Sequence, residues 1–108
     1  MSGNILQINF KFNVPRADYE GAVTPLAEPI AAVPGLQWKV WLMNEGESEA
    51  GGIMCFDDQA SLQAYLEGPI AAGIVGHPAL SEFSVKQFEV MGEQTAVTRG
   101  PVLQTAVS

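Results

Sequence analysis

One cysteine, one histidine and five basic residues are all that this 108-residue chain holds of those types. Each scarcity closes a class of explanation. A lone cysteine, Cys55, makes no disulfide within the chain and fits a reducing compartment, so the cytoplasm is the expected location. One histidine and one cysteine do not compose a zinc site of the usual kind. Five Lys and Arg against twelve Asp and Glu leave a net charge of −7. Such a surface has little with which to displace counterions from a nucleic-acid backbone, and an anionic membrane repels it. No apolar run approaches the roughly 18 residues of a membrane span. Met1-Ser2-Gly3-Asn4 lacks the basic start and apolar core of a signal peptide. Gly46, Gly51 and Gly52 do not lie between a strand and a following helix, so no Rossmann or P-loop phosphate cradle is expected, and no bound cofactor.

What is present suits one packed domain: 47% of the residues are hydrophobic, in a chain of single-domain length. The chain is organised around Pro34 to Asp58. Leu36, Trp38, Val40 and Leu42 alternate with the period of a strand, and a second apolar run covers Gly52 to Phe56. The polar stretch Asn44 to Glu49 between them reads as a hairpin loop. Before it, Asn4 to Phe12 alternates, with Leu6, Ile8, Phe10 and Phe12 on one face. Pro15 to Val33 carries a helical stripe of Tyr19, Val23, Leu26, Ile30 and Val33. Pro25 and Pro29 each remove an N–H from that ladder, so a break is expected at Thr24-Pro25, with Thr24 as a cap. Asp58 to Glu67 forms a second helix, with Leu62, Tyr65 and Leu66 inward. Residues 70–80 are apolar and broken by Gly73, Gly76 and Pro78, either a short helical turn or a loop. Glu82 to Met91 is the last strand, with a bulge expected between Val85 and Phe88.

The order β-α-β-β-α-β is that of a ferredoxin-like α+β domain, a four-stranded antiparallel sheet with both helices on one face. The domain is expected over residues 1–91, with residues 92–108 a tail that packs on a partner subunit. Strand parity places Phe10, Trp38 and Val40 under the helices. It places Ile5, Trp41 and Met43, among Gln7, Asn9 and Lys39, on the other face. A mixed face of that kind suits a homodimer.

The strings PGLQWKVW, EAGGIMCFDD and LQAYLE, with LQINFKFNVP near the start and PLAEPI in the first helix, closely resemble the YdhR-like monooxygenase family over residues 4–91. The resemblance implies a dimeric α+β barrel, two such sheets packed face to face with the helices outside. Relatives in that superfamily include cofactor-independent monooxygenases of polycyclic phenols, cyclases, haem-degrading enzymes and small-molecule binders. The expected function is therefore a cofactor-free oxidation of a hydrophobic aromatic small molecule. A non-catalytic dimeric binding protein, a cyclase or lyase, and use of flavin from an external reductase stay open.

Two residues stand out as candidate catalytic groups. His77 is the residue type that exchanges a proton near neutrality, and it lies in the glycine-broken 70–80 segment; otherwise it is a solvated loop histidine. Tyr65 brings a hydroxyl to the inner stripe of the second helix; otherwise it only packs. Phe10, Trp38 and Ile74 are the candidate substrate-binding residues, around an apolar cavity with the 70–80 segment as lid. Cys55, within a strand, reads as a small buried hydrophobe.

Overall fold

The computed structural model describes residues 4–101. Strands β1 (Asn4–Phe12), β2 (Leu36–Asn44), β3 (Glu49–Phe56) and β4 (Leu80–Glu89) form one antiparallel sheet in the order β2-β3-β1-β4. Helices α1 (Arg16–Val23) and α2 (Ala27–Ala31) connect β1 to β2, and α3 (Gln59–Leu66) and α4 (Pro69–Val75) connect β3 to β4. This is the ferredoxin-like arrangement that the alternation predicts. A further short helix, α5 (Gly92–Val97), follows β4 within the stretch read as a polar tail. No helix among the described residues is long and apolar enough to cross a membrane.

The first crossover breaks where its prolines require. A 3-10 turn, Thr24–Leu26, separates α1 from α2, with Pro25 at its start. Thr24 does not cap the second piece. Its hydroxyl donates to the Glu20 carbonyl at 2.7 Å and so closes the helix before it. Pro29 falls in the first turn of the five-residue α2, where its missing N–H has no partner to lose. At α3, Asp58 is the N-cap, its Oδ1 accepting from the Ser61 N–H at 2.8 Å.

Strand β2 departs from the expected facing. Residues opposite one another in an antiparallel ladder share a face. Leu36 lies opposite Phe56, but Trp38 lies opposite Cys55 and Lys39 opposite Met54, so the register slips at Gln37. Gln37 is the extra residue of a bulge, and its amide donates to Asp57 Oδ1 at 3.0 Å. Beyond it the two faces of the strand exchange. Lys39, Trp41 and Met43, opposite Met54, Gly52 and Ala50, lie on the helix side. Trp38, Val40 and Leu42, opposite Cys55, Ile53 and Gly51, lie on the open side. The positions expected for Trp38 and Trp41, and for Lys39, are thus each reversed.

A second slip lies in β4, nearer its start than expected. Asn9 pairs with Ser84 and Lys11 with Ser81, leaving one extra residue opposite Phe10, and Glu82 there has a positive φ of 54°. Val85 and Phe88 follow in unbroken register opposite Ile8 and Ile5, so no bulge separates them.

The inward residues of β3 are large at Phe56 and Met54 and small at Gly52 and Ala50, toward the hairpin. Two buried clusters result. One joins Leu6, Ile30, Met54, Phe56, Leu62 and Tyr65; the other joins Phe10, Phe12, Tyr19 and Ala50, and half-buried Ile8 packs against both. On the opposite face Cys55 is fully buried, and that burial raises its thiol pKa, which keeps it an inert thiol. The chain beyond α5 reaches the far sheet edge, where the Trp38 indole N–H donates to the Pro101 carbonyl. Residues 102–108, the rest of the expected tail, lie outside the described residues.

Candidate functional site

The gap between the two clusters is a consequence of Gly52. It occupies an inward position of β3 opposite Ile8 on one side and Trp41 on the other, and it brings no side chain. The space is taken by the stem of Lys39. A Cβ on residue 52 would stand 2.6 Å from Lys39 Cε. The Lys39 ammonium rests 3.7 Å from the centroid of the Trp41 ring, a cation–π contact. Among the described residues it has no carboxylate partner, the ion pairs being those of Arg16 with Glu20 and Glu45.

Lys39 helps to line a small inner cavity of about 30 Å³, together with Ile8, Phe10, Tyr19, Trp41, Tyr65, Ile74 and Leu80 among others. Tyr65 is buried, and its hydroxyl has no hydrogen-bond partner among the described residues. A buried hydroxyl left unpaired is uncommon in folded proteins, and a water molecule or a ligand atom beside it is one way to satisfy it.

A wider groove of about 600 Å³ opens between α1 and α4. Its walls are mostly apolar, Val14, Ala22 and Ile70 among them, and it shares Tyr19, Val23, Leu26, Ile74 and Leu80 with the inner cavity. His77 and Asp18 stand on this groove. His77 is exposed, and its Nδ1 accepts from the Ala79 N–H at 3.1 Å. That bond places the proton of the neutral ring on Nε2. Among the described residues no three His, Cys, Asp or Glu side chains gather as a metal site.

The residues singled out from sequence therefore separate. Phe10, Tyr65 and Ile74 line the inner cavity, Ile74 and His77 the outer groove, and Trp38 neither, since the Gln37 bulge turns it to the open face. The site gains two residues that sequence reasoning assigned to the open face, Lys39 and Trp41. The adjacent glycines at 51 and 52 are the signal that a long side chain lies close by.

Burial disfavours the charged form of Lys39 and lowers its pKa from 10.5 to about 8. The unfolded chain then binds more protons than the folded one between these two values, so stability rises with pH across that window. The full cost of the buried charge is present below about 8. Lys39→Met is expected to raise the melting temperature at neutral pH and to remove the rise between about pH 8 and 10.5. Thermal melts of the two proteins across that range check it; an equal slope in both would show that Lys39 is not the group responsible.

Residues 5–101 match the family model described as "Putative mono-oxygenase ydhR". None of the curated proteins matches the sequence. Several solved structures share the fold. SnoaB, a cofactor-independent oxygenase from Streptomyces nogalater, is 17% identical with a TM-score of 0.69, over 84% of this chain and 95% of that one. The heme-degrader MhuD from Mycobacterium tuberculosis, with two hemes bound in its active site, is 22% identical with a TM-score of 0.63, over 81% and 95%. A dimeric ferredoxin-like protein of unknown function from Thermobifida fusca is 23% identical with a TM-score of 0.63, over 83% and 93%.

Proposed function

Because the chain belongs to the ydhR mono-oxygenase family, we propose that it is a cofactor-independent monooxygenase of a hydrophobic aromatic small molecule, acting as a homodimer in the cytoplasm. The observation that carries this reading is the apolar groove of about 600 Å³ that shares its walls with a smaller inner cavity. A groove of that size and lining suits a fused-ring ligand. The chemistry balances without a bound redox group when the substrate carries an activated methylene, as an anthrone does. Two C–H bonds break, one oxygen atom of O2 becomes the new carbonyl, and the other leaves as water. The electrons come from the substrate.

His77, at the rim of the groove, takes the first proton, its Nδ1 exchanging the Ala79 N–H for the acidic group of the ligand. Tyr65, Phe10 and Ile74 line the path inward. The homodimer forms through the open sheet face, where Val40 and Phe88 are each 50% exposed. The likeness to a dimeric ferredoxin-like protein supports that arrangement. In it, the sheet and its helices up to residue 91 are the folded unit, and α5, which follows, lies near the partner.

The test is oxygen uptake with a panel of anthrones and hydroquinones, with a chelator present and no flavin. One O2 consumed per quinone formed from an anthrone, with no hydrogen peroxide released, is the expected result, with His77→Ala slower by roughly a hundredfold. Tight binding without oxygen uptake would make the protein a binder of such compounds instead. If no member of the panel binds at all, the aromatic substrate class is wrong.

A further inference from the structure

We propose that Lys39 is an oxyanion-binding residue: its ammonium, with the Tyr65 hydroxyl, holds the ionised oxygen of a hydroxyaromatic or enol ligand whose rings lie in the outer groove. The proposal deepens the functional reading and rests on the groove being the ligand site.

Three independent features converge on the inner cavity. The chain has twelve carboxylates, yet none among the described residues pairs with Lys39. The Lys39 side chain, half-buried with its ammonium over a ring face, has given up hydration without gaining an anion among the described residues. Tyr65, 5% exposed, carries a hydroxyl with no partner among the described residues. Both residues line a cavity whose volume, about 30 Å³, admits one oxygen-sized group and excludes a ring. The ring is accommodated next door, because Tyr19, Val23, Leu26, Ile74 and Leu80 are walls of both spaces. Gly52 is the fourth part of the device, since any side chain there would drive into the Lys39 stem. The lowered pKa of Lys39 has the same origin: the site costs stability until an anion arrives. An ether or hydrocarbon of the same shape would fill the groove and leave both polar groups unanswered, so the cavity selects for an acidic hydroxyl.

The experiment compares 1-naphthol with 1-methoxynaphthalene by titration calorimetry and by absorption of the bound ligand, near pH 7 where free 1-naphthol is neutral. The wild-type protein is expected to prefer 1-naphthol by roughly tenfold to a hundredfold and to show the red-shifted naphtholate band. Lys39→Met is expected to bind both compounds alike and to show the neutral band. Lys39→Arg restores the naphtholate band in part, and Tyr65→Phe keeps it while losing several-fold in preference. If the wild-type protein binds 1-naphthol in its neutral form, the proposal is overturned whether or not Lys39→Met folds; the cavity then holds a water molecule, and binding of 1-methoxynaphthalene leaves the groove reading intact. If neither compound binds to the wild-type protein, the groove reading falls with it.

Discussion

Val40→Glu will raise the dimer dissociation constant by about four powers of ten. The side chain stands 50% exposed on the open sheet face, opposite Ile53, with Trp38 and Leu42 on the same side of β2. An uncompensated charge buried in an interface costs about 3 kcal/mol. Two-fold symmetry brings that cost in twice, once from each subunit. Sedimentation equilibrium reads the change directly. Trp41→Glu is the matched control. It lies on the helix side, so it perturbs the inner cavity and leaves the dimer constant where it was. A wild-type protein that is monomeric at micromolar concentration would sink the dimer; a dimeric Val40→Glu would place the interface elsewhere.

Gly51→Ala will cost about 4 kcal/mol or more, a large part of the roughly 5–15 kcal/mol that holds a domain folded. Gly51 has φ 158°, and a Cβ there would stand 2.0 Å from the Ile8 carbonyl oxygen and 2.8 Å from Asn9 Cα. Both are backbone atoms of β1, the strand paired with β3 in the middle of the sheet, so neither can swing aside. The expected outcome is a melting temperature lower by about 15–30 °C, or no folded protein. Gly73→Ala provides the contrast. Nothing lies within 4 Å of its Cβ position and it sits in α4, so stability is expected to hold or rise slightly. A Gly51→Ala protein that melts like the wild type would mean that β1 and β3 are not in the register described.

The elements were legible because each carries its own period. Leu6, Ile8, Phe10 and Phe12 alternate without fault, and the structure seats them under the helices. The prolines at 25 and 29 marked the interrupted crossover. Tyr65 followed from the stripe of α3. The faces of β2 were not legible, because LQWKVWLM is apolar in both parities apart from Gln37 and Lys39. Both of those polar residues share one parity, so hydrophobicity favours the phase that the structure reverses beyond Gln37. A bulge is a relation between two strands and leaves no mark in the pattern of one. Lys39 was misplaced by the ordinary expectation that a lysine seeks water, which holds until a neighbour vacates space for its stem. His77 was expected at the mouth of a cavity, and the structure puts it on the outer groove rather than beside Lys39.

The extra residue at Gln37 works as a reading frame for everything that follows in β2. Seven residues from Trp38 to Asn44 are dealt out alternately, odd numbers to the helix side, where Lys39 and Trp41 line the inner cavity, and even numbers to the open face. No single substitution can exchange the two hands, because each side chain stays on the side its position dictates. Deleting Gln37 exchanges all of them at once, sending Lys39 and Trp41 out and Trp38 and Val40 in. The inner cavity and the open face are thereby locked to a common phase in this strand. A relative that lost the extra residue would have to rebuild both surfaces together, which makes the length of this short segment a more restrictive inheritance than the identity of any one residue within it.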